Sequence, residues 1–409
     1  MSKFCCAFFL AVTLVFQVPN LFSYSVLTHE AVIDAQWKES IEPLLRRRFH
    51  GLSAEDLKQA HAYAYGGSII QDMGYYPFGS HFFTDLTHYV RSGDFVAALL
   101  RNAQNANDYA FALGALAHYT SDNIGHPVAT NRAVPILFPK LRRRFGNNVT
   151  YADDPGAHLK TEFGFDVLQV AKGRYAPDAY RDFVGFEVSK PALEAAFRET
   201  YGLELTDVFS TLDLAIGTYR KTVSDIIPKM TQVAWDMKKD EIQKDVQGIT
   251  REKFLYNLSK AEYEKTWGHN YQEPGAGSRV LAWVIRIFPK VGPFAAVKFR
   301  TPTPETEKMF MDSFNKTVER YKALLAAEGA HAANPPDSNL DVGKPTTAGM
   351  YQISDEAYAK LVHKLAEHDF ERTPSSLRDQ IVAFYDGGNA RVSSKLRTEL
   401  QALKARKKF

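Results

Sequence analysis

The stretch from Ala117 to Pro127 constrains this chain more than any other, because His118, Asp122 and His126 recur in it as H-x3-D-x3-H. His158 and Glu162 follow as H-x3-E. In a helix, residues four apart share one face. Two such cassettes aim imidazoles and carboxylates at a common point. Those groups are metal ligands, and with coordination positions left open they make a catalytic site. A buried polar face this dense is otherwise costly. The expected fold is therefore helical, built around a metal centre.

The chain has 409 residues, 45% of them apolar, which suits one large or two ordinary domains with a real core. A net charge of +3 gives no strong footprint for nucleic acid or a membrane surface. Lys3 and the apolar run Phe4 to Val18, broken by Pro19-Asn20 and followed by small Ser23, read as a signal peptide over residues 1–23. An uncleaved N-terminal anchor is the alternative. Secretion or export to a periplasm is the expected location. Both cysteines, Cys5 and Cys6, lie in that segment, so neither a disulfide nor a thiolate metal site is expected in the mature chain.

The remainder reads as all-α. Thr28 is a plausible N-cap for a helix through Trp37, and Ser53 opens another in capping-box style with Asp56. Gly66-Gly67 and Gly74 to Gly79 read as loops, Ala106 to Tyr119 as a buried helix, and Pro135 to Pro155 as a basic loop. Helical periodicity returns over Ala157 to Val170, Pro191 to Tyr219 and Val223 to Lys244. Trp283 to Val297 is apolar but interrupted by Arg286, Pro289 and Lys290, which excludes an ordinary membrane span. It is a core helix with a turn or, alternatively, an interfacial segment. Ala327 to Thr347 reads as a linker, within a boundary drawn at residues 327–350 after a main domain over 24–326. Residues 351–409 form a small helical region with a basic tail, either solvated or drawn to anionic lipid.

Three further segments carry candidate ligands: Tyr24-Ser-Val-Leu-Thr-His29, Gln71-Asp72-Met-Gly-Tyr-Tyr-Pro and Asp85-Leu-Thr-His88-Tyr89. Together with the two cassettes, and with the string His158-LKT-Glu162-Phe-Gly-Phe-Asp-Val-Leu168, they resemble the zinc-dependent phospholipase C family, related to the S1/P1-type nucleases. The resemblance is closest to the domain found in glycosylphosphatidylinositol-specific phospholipase D. It covers roughly residues 24 to 170. It implies a multi-helix fold, a phosphodiesterase acting on phospholipid head groups at a membrane surface, and three zinc ions. By position, Asp72, His88, His118 and Asp122 would hold the first ion, and His126, His158 and Glu162 the second. The amine and carbonyl of Tyr24, with His29 and a bridging Asp122, would hold the third. Asp72 is also the candidate base, and whether it serves as ligand and base together stays open. His81 is an alternative to His88.

This sequence departs from those relatives in two ways. The bacterial enzymes begin with Trp where this chain would begin with Tyr24, and they space the equivalents of Asp122 and His126 six apart rather than four. The second difference favours a lipase over a nuclease, so nucleic acid enters only as an alternative substrate. A non-catalytic zinc protein is a further alternative.

The bland readings stand beside these. His50, His61, His269, His331, His363 and His368 lack acid partners at ligand spacing and read as surface or core residues. Asp153-Asp154-Pro155 reads as a turn, and Asp94 as a turn or cap. Asp166 is a candidate partner of a ligating histidine. Tyr65, Tyr75, Tyr76, Phe78, Phe82 and Phe83 read as core, with a cation–π pocket for a choline-type head group as the alternative.

Overall fold

The computed structural model describes residues 26–173, 185–223, 227–249, 299–330 and 333–406, and every regular element among them is a helix. The segment read as a signal peptide, Tyr24, Trp283 to Val297, His269, His331 and the last three residues lie outside the described residues. In chain order the α-helices are α1 (Val26–Gln36), α2 (Glu42–Arg48), α3 (Ala54–Gly67), α4 (His81–Tyr89), α5 (Ser92–Asn102), α6 (Ala106–Gly125), α7 (Asn131–Leu137) and α8 (Pro139–Phe145). They continue with α9 (Pro155–Ala171), α10 (Lys190–Tyr201), α11 (Leu212–Lys221), α12 (Ile227–Asp245), α13 (Pro304–Gly329), α14 (Gln352–Ala366), α15 (Ser375–Asp386) and α16 (Ser394–Ala405). No helix among the described residues is long and apolar enough to cross a membrane.

Helix α6 is the axis of the molecule, buried from Asp108 through Asp122. Asn105 caps its start by accepting the Asn107 and Asp108 N–H groups at 3.0 Å each. Its contact with α3 depends on glycine. A Cβ on Gly67 would lie 1.9 Å from the Phe111 carbonyl, and one on Gly114 would lie 2.1 Å from the Ala64 carbonyl. The two backbones therefore touch, which brings Ser68 and the turn after it against the ligand-bearing half of α6. Gly66 and Gly67, expected as a loop, complete α3 for this reason.

Two further loop readings are corrected. Pro135 to Pro155 contains the end of α7 and all of α8, the second started by Pro139 in the first turn, where a missing N–H costs nothing. The loop read over Gly74 to Gly79 begins inside a 3-10 helix, Ile70–Tyr75, which carries Asp72, and is irregular from Tyr76 on. Ser53 and Asp56 do form the reciprocal capping box. Thr28 does not cap: it lies inside α1, and its hydroxyl donates to Asp166 Oδ1 at 2.7 Å, beside the Leu27 N–H on Oδ2 at 3.1 Å. Asp166 on α9 thus places a carboxylate at the N-terminus of α1, where the helix dipole favours it. Asp154 caps α9, accepting the Ala157 N–H at 2.8 Å, and Asp153 closes the preceding turn on Thr150. Asp94 begins α5 and pairs with Arg91.

The C-terminal helices share one apolar cluster with the N-terminal ones, which runs from Val26 on α1 to Leu403 on α16. Helix α13 lies along α6, with Tyr321 donating to the Leu113 carbonyl at 2.9 Å. The composition-based linker reading of Ala327 to Thr347 is corrected in the same way. Ala327 to Gly329 finish α13, while Ser338, Asn339, Leu340 and Asp341 are buried. This strap is sewn on by Leu340 N–H to the His88 carbonyl (3.1 Å), Tyr119 hydroxyl to the Pro336 carbonyl (2.6 Å), and Thr346 hydroxyl to the Tyr89 carbonyl (2.8 Å).

Candidate metal centre

Five elements converge at the end of α6, counting α6 itself. The 3-10 turn presents Asp72 and α4 presents His88. Helix α6 with its π-helical continuation His126–Thr130 presents His118, Asp122 and His126, and α9 presents His158 and Glu162. His29 comes from α1. All eight are buried, none more than 3% exposed.

Ring tautomers follow from what lies behind each histidine. His88 Nδ1 faces the Thr84 carbonyl at 2.9 Å, and His118 Nδ1 faces the Ser68 carbonyl at 2.9 Å. A carbonyl only accepts, so both Nδ1 atoms carry the hydrogen and, in the neutral rings, both Nε2 atoms carry lone pairs. Those two Nε2 atoms face each other at 3.2 Å. His88 Nε2 also lies 3.3 Å from Asp72 Oδ1 and 3.3 Å from Asp122 Oδ2, and His118 Nε2 lies 3.3 Å from Asp122 Oδ2 and 4.0 Å from Asp72 Oδ1. Four acceptors pointed at one spot repel one another unless a cation or proton sits between them. Ligands about 2.0–2.1 Å from a tetrahedral zinc are roughly 3.3 Å apart, which is the spacing found here for most of these pairs. His88, not His81, joins this group. His81 packs edge-on against Tyr75 with ring centroids 5.5 Å apart.

A second group forms one turn further along. Glu162 Oε1 lies 3.3 Å from His126 Nε2 and 3.2 Å from His158 Nδ1. Asp122 connects the two groups, since its Oδ1 lies 3.5 Å from His29 Nε2 and 3.8 Å from His126 Nε2 while Oδ2 faces the first group. The His29 ring stacks on His118 at 4.4 Å. Both oxygens of Asp122 and of Glu162, together with Asp72 Oδ1 and His158 Nδ1, are buried without a hydrogen bond. Such atoms are rare in a folded protein and call for an ion or proton. The donor set fits zinc: three compact groupings of His and Asp side chains satisfy ligand spacing, namely His29 with His118 and Asp122, Asp72 with His88 and His118, and His126 with His158 and Asp341.

Protonation equilibria reflect the same crowding. Burial alone would push the His88 imidazole down, but the Asp122 and Asp72 carboxylates raise it to about 10. Burial opposes a raised His126 too, and there Asp122, Asp341 and Glu162 prevail. His29 goes the other way, held well below the ordinary imidazole value by burial and by the neighbouring His118. Burial would raise Asp122, but His118 and His126 hold it well below the usual carboxylate range.

Asp341 is the site residue that sequence reading missed. It comes from the strap, 190 residues beyond its partner Tyr151, with no spacing motif to announce it. Among the described residues, the histidines read as surface or core stand outside the metal groupings, where His61 lies 3.1 Å from Asp34 and stacks on Trp37 at 3.8 Å, His363 meets Glu399, and His368 lies 3.6 Å from Asp207. Of the aromatic cluster, Tyr65, Tyr75, Tyr76, Phe82 and Phe83 are core, whereas Phe78 is 57% exposed.

Residues 28–211 match the family model described as zinc dependent phospholipase C, and over that stretch the resemblance seen in the motifs is real. No curated protein and no solved structure matches the chain. The match contains every ligand candidate named above except Tyr24 and Asp341, and it stops short of α11 to α16.

Proposed function

We propose that this protein, which carries a zinc-dependent phospholipase C family region over residues 28–211, hydrolyses phosphodiesters of phospholipid head groups. The observation that carries the proposal is the pair of lone-pair nitrogens, His88 Nε2 and His118 Nε2, facing each other at 3.2 Å between Asp72 and Asp122. In this reading Asp72, His88, His118 and Asp122 hold the first zinc, and His126, His158 and Glu162 the second. His29 and Asp122, with the backbone of Tyr24, hold the third. Bound zinc polarises phosphoryl oxygens and lowers the pKa of a coordinated water.

The chain's own residues do the rest. The Thr84 and Ser68 carbonyls fix the rings of His88 and His118, so no reorientation is needed when substrate arrives. Asp122 splits its two oxygens between neighbouring positions and sets their separation. In the same reading Asp72, whose Oδ1 makes no hydrogen bond, orients the attacking water and takes its proton. Exposed Phe78, beside the Asp72 turn, is suited to touch a lipid surface. Export through the N-terminal apolar segment is part of the same proposal.

The test is zinc-loaded protein given phosphatidylcholine vesicles and, separately, single-stranded DNA. Release of phosphocholine with diacylglycerol is the expected result. Cleavage of DNA alone would assign the site to nucleotide chemistry, and silence on both with zinc bound would make the centre structural.

A further inference from the structure

The strap that follows α13 does more than cover the site. We infer that Asp341 is a positioning residue that orients both histidines of the second metal position from behind, an inference that rests on the metal-centre reading above.

The argument begins with Asn131. Its Nδ2 donates to the Asp341 carbonyl at 2.7 Å, which fixes the amide so that Oδ1 points at His158 Nε2, 2.9 Å away. An amide oxygen only accepts, so His158 carries its hydrogen on Nε2 and its lone pair on Nδ1, toward Glu162. The metal side of His158 is therefore the Glu162 side. Asp341 lies on the other side: its Oδ1 is 3.5 Å from His158 Nε2 and 3.4 Å from His126 Nδ1. One carboxylate oxygen thus lies 3.4 and 3.5 Å behind the two rings, at His126 Nδ1 and His158 Nε2, while Glu162 faces the opposite nitrogens. Spacing alone would group Asp341 with the two histidines as a ligand. Its place across the His158 ring from Glu162, beside the nitrogen whose hydrogen Asn131 accepts, makes it an orienting partner instead.

Asp341 is itself held for the task. Its Oδ2 accepts the Tyr151 N–H at 2.9 Å and the Tyr351 hydroxyl at 2.7 Å, and its own N–H donates to Asn339 Oδ1 at 3.0 Å. Both bonds on Oδ2 turn Oδ1 toward the histidines. Gly343, at φ +65°, lets the strap turn back against the Asn123 carbonyl, where a Cβ would approach to 2.7 Å. A carboxylate behind a ligating imidazole fixes its tautomer and raises its basicity, and losing such a partner typically costs about 10–100-fold in metal affinity. The region beyond residue 211, outside the family match, therefore completes the second metal position.

The test uses full-length protein: wild type, Asp341→Leu, Asp341→Asn and Tyr351→Phe. Zinc per chain after dialysis, and the visible spectrum during cobalt titration, are compared with helical content by circular dichroism. Asp341→Leu should lose one class of metal sites, with affinity down about 10–100-fold, while the others stay filled. Asp341→Asn, which keeps an oxygen acceptor, should recover part of the loss. Tyr351→Phe should keep the fold and weaken the same class a few-fold. Wild-type metal content and cobalt spectra in both Asp341→Leu and Tyr351→Phe would overturn the inference and leave the metal centre standing. A wild-type chain that takes up neither zinc nor cobalt would overturn the metal centre itself.

Discussion

The two halves of the candidate centre are held in different ways. Behind His88 and His118 stand main-chain carbonyls, Thr84 O and Ser68 O. Behind His126 and His158 stand side chains, Asp341 and Asn131, the first from a strap outside the family region. A carbonyl fixed by helix geometry survives nearly any substitution at its residue. A side-chain partner can be lost in one mutation. The first group should therefore be the sturdy one, and the second the one whose metal affinity the rest of the chain can tune.

The largest effect should come from the residue the halves share. Asp122→Asn should cut phosphodiesterase activity by on the order of a thousandfold and lower zinc content, because it weakens both groups together. Full activity in that variant would break the comparison at its root. Next, Asn131→Leu removes the acceptor of the His158 Nε2 hydrogen and the clasp on the Asp341 carbonyl. It should weaken the second group's metal by about tenfold or more, seen by chelator competition, and leave the first group alone. Equal weakening of all sites would mean that the halves are not independent.

A smaller effect concerns Asp85, one turn before His88. Burial raises its carboxyl to about 7 against an ordinary 3.8. The folded protein holds this proton longer than the unfolded chain, so Asp85 costs stability as pH rises from about 4 to 7, and costs nothing more above that. In chelator-treated protein, Asp85→Asn should melt with wild type near pH 4 and be more stable by roughly 1–2 kcal/mol at pH 8, after discount for partial exposure. An unchanged pH profile would remove Asp85 from the electrostatics of the first group. The smallest expected change is at Phe78, whose φ of +63° suits asparagine. Phe78→Asn should reduce turnover on vesicles a few-fold while leaving a soluble phosphodiester unaffected.

Much of the centre was legible because its ligands obey helix periodicity. Residues 118, 122 and 126, then 158 and 162, declare their shared faces in one dimension. Asp72 and His88 were found through a family pattern, since Asp72 sits in a 3-10 turn with no such period and His88 lies on a separate helix, α4. Periodicity is silent on Thr28, where a helix start is set by Asp166 from α9 rather than by a local cap. Composition misled over the strap, because Asn, Pro and Gly mark irregular backbone without saying whether it is buried. Here Asn339, Leu340 and Asp341 are irregular and buried at once, with polar groups met by Lys344 and Ser354 at Asn339, His88 at Leu340, and Asn131, Tyr151 and Tyr351 at Asp341.

By itself the sequence determined the helical class, the family region and the ligand-bearing faces, all of which rest on local spacing and residue chemistry. Only the tertiary structure decided which ring nitrogen of each histidine faces the centre, that Asp122 divides its oxygens between two groups, and that Asp341 stands behind the second. Those facts depend on atoms brought together from distant parts of the chain, and a hydrogen bond's direction is fixed by its partner, not by its neighbours in sequence.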